Sequence, residues 1–184
     1  EMVVGHNYIY PGDEPSTPAV SAGTLGADFT VENGIYKIGK IFNRLDWNPS
    51  FKAPLAEPGL NVNVGDYILA VNGIPLNAGV NLYKLLENSV DKQVVLAINA
   101  KAELSGSREI TVKPISFGDE VSLRRMAWVE QNRKKTDSLS NGQIAYVYMP
   151  NTGDEGYTYF NRYYFAQMDK KALLLDERNN GGGS

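Results

Sequence analysis

The chain has 184 residues, 42% hydrophobic and 21% charged, with a formal net charge of −3. That apolar fraction can bury a core, the mixed charge leaves no basic footprint for nucleic acid, and no apolar run reaches the roughly 18 residues of a membrane-spanning helix. With no Cys and one His, disulfides, thiolate catalysis and multi-histidine metal sites are excluded, and no metal or organic cofactor is implied.

Residues 1–20 combine Pro11, Pro15 and Pro18 with small and acidic residues after a short apolar start, a composition that predicts an extended segment. Residues 21–115 are rich in short β signals. Ile35 to Phe42 is β-branched and aromatic and follows Asn33-Gly34. Tyr67 to Val71 runs into Asn72-Gly73, a tight-turn pair. Val94 to Ile98 and Arg108 to Val112 flank a loop containing Gly106, which predicts a closing hairpin. Before it, Leu82, Leu85, Leu86 and Val90 have the spacing of one amphipathic helix. About five strands and one helix make a small α+β barrel or sandwich.

From 116 onward the texture changes. Val121 to Asp137 predicts a charged helix that buries Met126, Trp128 and Val129, stopped by Asn141-Gly142. Ile144 to Met149 predicts a buried strand ended by Pro150. Tyr157 to Asp169 predicts a helix with Phe160, Tyr164 and Phe165 inward, and Ala172 to Leu175 a second buried strand. Strand, helix and strand at this spacing form a βαβ unit with parallel strands. The last strand runs into Gly181-Gly182-Gly183-Ser184, so the chain is expected to be a piece of a larger protein; a flexible linker accounts for those four residues equally well.

Five features could carry chemistry. His6 is the single side chain whose ordinary pKa lies near neutrality; a lone His near a terminus is by default a solvated bystander. Gly181, Gly182 and Gly183 follow a parallel strand, where backbone N–H groups can face an anion, although plain loop glycines are the simpler account. Asp176-Glu177-Arg178 is better matched to an ion pair orienting that loop than to paired acid–base catalysis. The tyrosine-rich run from Tyr157 to Phe165 reads as core, and Arg124-Arg125 with Arg133-Lys134-Lys135 as a solvated helix face.

The most specific pattern is Pro58-Gly59-Leu60 followed by Val64-Gly65-Asp66 and the strand to Asn72-Gly73. It resembles the bacterial type of PDZ signature. In that frame Thr24-Leu25-Gly26-Ala27 resembles a loop that captures a peptide's terminal carboxylate, and the helix bearing Leu82 and Leu86 would form the other groove wall. Peptide binding would then work by β-augmentation.

Across almost the whole chain, in order, the sequence resembles the tricorn-type proteases, relatives of the tail-specific serine proteases. The residues that carry this resemblance are Val4-Gly5-His6, Gly26-Ala27-Asp28, Trp47-Asn48-Pro49, Gly65 to Gly73, Trp128 to Arg133, Ala145 to Pro150, Phe160 to Tyr163, and Asp176 to Gly183. The resemblance implies a strap carrying the catalytic His (1–20), a PDZ-like domain (21–115) and the beginning of a crotonase-like α/β serine protease core (116–184). It makes His6 the general base and the Gly181–Gly183 loop the oxyanion hole, with the nucleophilic Ser and a supporting Glu downstream. The chain alone is therefore expected to be inactive. Implied partners are peptide substrates and the remainder of the protease, with neither nucleic acid nor membrane, and a homo-oligomer is left open. The absence of Cys fits cytoplasm and periplasm alike, and the resemblance favours the cytoplasm. The competing readings are a non-catalytic PDZ-type peptide adaptor and a crotonase-like core with non-proteolytic chemistry.

Overall fold

The computed structural model describes residues 20–43 and 51–183, together with 9, 10, 12, 13 and 15. His6, Trp47-Asn48-Pro49, Ser184 and most of the expected extended segment lie outside the described residues.

Left-handed Asn and Gly residues turn the chain before any packing is considered, and two pairs matter most. Asn33-Gly34 and Asn72-Gly73 all have positive φ, at 52°, 78°, 50° and 78°. Two consecutive left-handed residues are the requirement of the tight hairpin turn whose twist matches its strands. The first pair joins β1 (Ala27–Glu32) to β2 (Ile35–Ile41), and the second joins β3 (Tyr67–Val71) to β4 (Ile74–Pro75). Gly73→Ala would force a side chain into the left-handed region and is expected to cost about 1 kcal/mol. A urea midpoint lowered with unchanged slope would show it; an unchanged midpoint would refute it.

The first sheet is antiparallel in the order β1-β2-β3-β5-β6, with β4 beside β3. β5 (Val94–Asn99) and β6 (Arg108–Val112) form the expected hairpin. β3 is buried along its whole length because β2 and β5 flank it. Its core gathers Leu25, Ile38, Ile68, Leu82, Leu86, Leu96 and Ile98. The expected helix through Val90 is corrected: α1 is one turn, Leu82–Leu85. Leu86 caps it, and the left-handed Asn88 and Asp91 turn the chain away, so only the Leu82/Leu86 half of the stripe is buried fully.

α2 spans Phe117–Leu139, four residues earlier than expected at its start. The reason is a reciprocal capping box: Ser116 accepts from the Asp119 N–H while the Asp119 carboxylate accepts from the Ser116 N–H. Leu123, Met126 and Val129 are buried and Trp128 is partly so. Asn141-Gly142, both left-handed, end it as expected.

β7 (Ile144–Tyr148), α3 (Asp154–Phe165) and β8 (Ala172–Asp176) form the βαβ unit, with β7 and β8 parallel in register from Ile144/Ala172 to Tyr148/Asp176. Two expectations fail here. α3 buries Tyr159 and Tyr163, whereas Phe165 is 60% exposed and Phe160 and Tyr164 stack on each other, half-buried. The tyrosines can go inward because their hydroxyls find partners, Tyr159 on Met126 Sδ at 2.6 Å and Tyr163 on Glu130 Oε1 at 2.6 Å. β8 is not buried: Leu173, Leu174 and Leu175 are each more than two-fifths exposed. α2 and α3 both pack on β7, leaving β8 with a strand neighbour on one side only. Phe42, Ala53, Ile115 and Leu123 form a third cluster that ties the antiparallel sheet to α2. No helix among the described residues is long and apolar enough to cross a membrane.

Candidate functional site

Two places bring the sequence-predicted residues together: the glycine loop after β8, and the junction of the Thr24–Ala27 loop with α1.

The glycine loop is built from the strand end outward. Asp176 is 5% exposed and accepts from the Tyr146 hydroxyl at 2.6 Å across the β7–β8 pair. It also accepts from the Arg178 backbone N–H at 3.1 Å and from the guanidinium Nε at 2.9 Å and Nη2 at 2.5 Å. The Arg178 guanidinium holds the Asp176 carboxyl down at about 2, against burial, and the Tyr146 hydroxyl assists. Arg178 in turn lies over the Trp128 ring, 4.7 Å from its centroid. Asp176 and Arg178 are thus the orienting ion pair, and Glu177 is an exposed neighbour.

Beyond that pair the backbone curls back on β7. Asn180 Nδ2 donates to Met149 O at 3.1 Å, and its Oδ1 accepts from the Gly182 N–H at 2.7 Å. Gly181 N–H donates to Pro150 O at 2.9 Å, and Thr152 N–H to Gly182 O at 2.9 Å. Gly182 has φ +80°, and a Cβ on Gly183 would overlap Thr152. The three glycines are therefore not equivalent. The N–H groups of Gly181 and Gly182 are engaged, whereas the Gly183 N–H has no acceptor among the described residues. Beside the loop lies a cleft of about 610 Å³ lined by Val121, Arg125, Trp128, Tyr148, Pro150, Asn179 and Gly181.

At the second place the side chains of Leu25, Ala27, Leu82 and Leu86 belong to the core, each 1% exposed or less. The accessible cavity, about 450 Å³, is lined instead by Ala22, Thr24, Tyr83, Phe117 and Glu120. Thr24 is fixed by a two-way backbone bridge with Ile115. Gly26 has φ +66°, and its N–H donates to Glu120 Oε2 at 3.0 Å. β1 is the edge of its sheet, with one strand neighbour.

The sequence pattern does not mark Tyr83, Glu120, Arg124 or Tyr146 as site residues. The Ser116-x-x-Asp119 capping signature was the available signal for Glu120, since it sets the first turn of α2. Tyr146 looked like any other aromatic residue of a buried strand. Among the described residues no group of His, Cys, Asp and Glu could hold a metal ion.

The chain is similar to known tricorn proteases. A family model described as the tricorn protease PDZ domain matches residues 23–116. A tricorn protease of Thermoplasma volcanium is 30% identical over 183 residues, covering all of this chain and 17% of that protein. A tricorn protease homolog of Saccharolobus solfataricus is 32% identical over 185 residues, with the same coverage of each. A crystal structure of the tricorn protease superposes with a TM-score of 0.75 at 27% identity, covering 89% of this chain and 15% of that one. The chain thus spans about a sixth of the length of these proteins.

Proposed function

We propose, from the premise that this chain belongs to the tricorn protease family, that it is the section of a serine-type peptidase that supplies the general base and the oxyanion hole. Residues 1–20 are the strap bearing His6, 21–115 the PDZ-like domain, and 116–184 the beginning of a crotonase-like core. A Ser outside this chain attacks the peptide carbonyl, His6 takes its proton and later returns it to the leaving amine. The developing oxyanion is met by the glycine loop, and within it by Gly183.

The observation that carries this reading is the loop itself. It is a parallel strand end, braced by Asp176, Arg178 and Asn180, with the Gly181 and Gly182 N–H groups spent on holding the turn and the Gly183 N–H bonded to none of the described residues. Fixed donors aimed at a developing charge need no reorganisation during the reaction, which is where their effect comes from. The space between the Thr24–Ala27 loop and α1, with Thr24 and Tyr83 in its lining and Leu25, Ala27, Leu82 and Leu86 packed in the core beneath, is proposed to hold peptide along the free edge of β1.

The test is fluorophosphonate labelling of the intact parent protein beside its His6→Ala variant, because such probes report serines activated by a neighbouring base. Labelling that disappears in the variant supports the assignment. Labelling that persists removes His6 from the mechanism.

A further inference from the structure

The Gly26 N–H is the donor that a terminal carboxylate would need, and it already has a carboxylate. Glu120 reaches it from the first turn of α2, 94 residues away in sequence. The Glu120 side chain is almost fully enclosed, and the residue is 4% exposed. Its second oxygen accepts from Arg124 Nε at 2.9 Å and Nη2 at 2.7 Å. Arg124 also bonds Asp28 Oδ1 and the Ala27 carbonyl, and its guanidinium lies 4.5 Å from the Phe42 ring centroid. The carboxylate is therefore gripped as a ligand would be, by a loop N–H on one oxygen and a guanidinium fork on the other.

The packing around it agrees. Leu123, one turn along the same face of α2, has Cδ1 3.3 Å from where a Cβ of Gly26 would stand, so helix and loop are in close contact. Phe117 and Glu120 line the cavity with Ala22, Thr24 and Tyr83. A second carboxylate cannot share this position, since two like charges in contact repel and Gly26 has one N–H to give.

We infer that Glu120 is an internal ligand of the Thr24–Ala27 loop, so that a peptide ending in a free carboxylate enters the groove only by displacing the first turn of α2. This rests on the reading of the β1–α1 groove as a peptide site. Its consequence is that the groove is closed to chain ends while α2 is docked.

The experiment uses the full 184-residue chain, wild type, E120Q and E120A, observed through the amide signals of Leu25 and Gly26. The probe is a mixture of randomised hexapeptides, once with free carboxylates and once C-terminally amidated. Without peptide, the Gly26 amide should exchange more slowly in wild type than in E120A. The free-carboxylate mixture should shift these signals in E120A at concentrations lower by about tenfold or more, and the amidated mixture should not. E120Q keeps the side-chain shape without the charge, so it carries the test if E120A fails to fold, and it should lie between the other two. Equal response of wild type and both variants overturns the internal-ligand inference and leaves the groove reading standing. No response in any of them overturns the groove reading and the inference with it. Identical Gly26 exchange in all three proteins removes the Glu120 contact itself.

Discussion

Gly183→Ala in the intact protein is expected to lower the rate of peptide hydrolysis by roughly 10²–10³-fold, with the effect in kcat and little change in KM. The added methyl would overlap the side chain of Thr152 and stand 3.0 Å from its carbonyl carbon. The loop must then shift, and the Gly183 N–H, which has no acceptor among the described residues, moves with it. A donor displaced by even part of an ångström loses most of its value, because its role is to be in place before charge develops. Thr152→Gly in the same protein should restore part of the rate by clearing the side chain from the new methyl. Steady-state kinetics on a fluorogenic peptide would decide; a single variant as active as wild type would exclude Gly183 from the oxyanion hole.

Asp176→Ala is expected to destabilise the βαβ unit by about 3 kcal/mol, because it leaves the Tyr146 hydroxyl without its buried acceptor and frees the guanidinium of Arg178. The same residue makes stability pH-dependent with a definite sign. Its folded-state pKa of about 2 lies below the ordinary value of 3.8, so the folded form binds its proton less readily than the unfolded form does. The contribution is fully present above about pH 4 and disappears as pH falls towards 2. It amounts to at most about 2 kcal/mol, less in practice because the Arg178 side chain is 64% exposed and water screens the pair. Denaturant titrations at pH 5 and pH 2.5, on wild type and Asp176→Asn, should show a smaller acid loss in the variant. Equal losses would mean that Asp176 is not the group responsible.

The close relation between the Asp176 pair and the glycine loop also explains why the motif extends backward from the glycines. The turn is not held by glycine freedom alone. Asn180 bonds both Met149 and Gly182, and Arg178 is pinned between Asp176 and Trp128. Loss of the ion pair is therefore expected to reach the loop, and the Asp176 variants should lose activity as well as stability.

Features that depend on residues a few positions apart are legible along the chain. Asn33-Gly34 and Asn72-Gly73 turn the chain because Asn and Gly tolerate positive φ, whatever surrounds them. The β5–β6 hairpin, the stop at Asn141-Gly142 and the parallel β7–α3–β8 unit follow from equally local signals, as does the order of motifs that marks the family. The tertiary structure decided which faces meet. α3 turns Tyr159 and Tyr163 inward because Met126 and Glu130 of α2 offer their hydroxyls partners, a fact no helical period contains. β8 carries three exposed leucines because the two helices pack on β7 instead, though its composition alone predicts burial. Gly26 meets Glu120 across 94 residues, and Tyr146 meets Asp176 across 30. Both pairs bury a charged group with its partner, and such pairing depends on chain segments brought together by the core, so neither residue type nor spacing along the sequence reveals it.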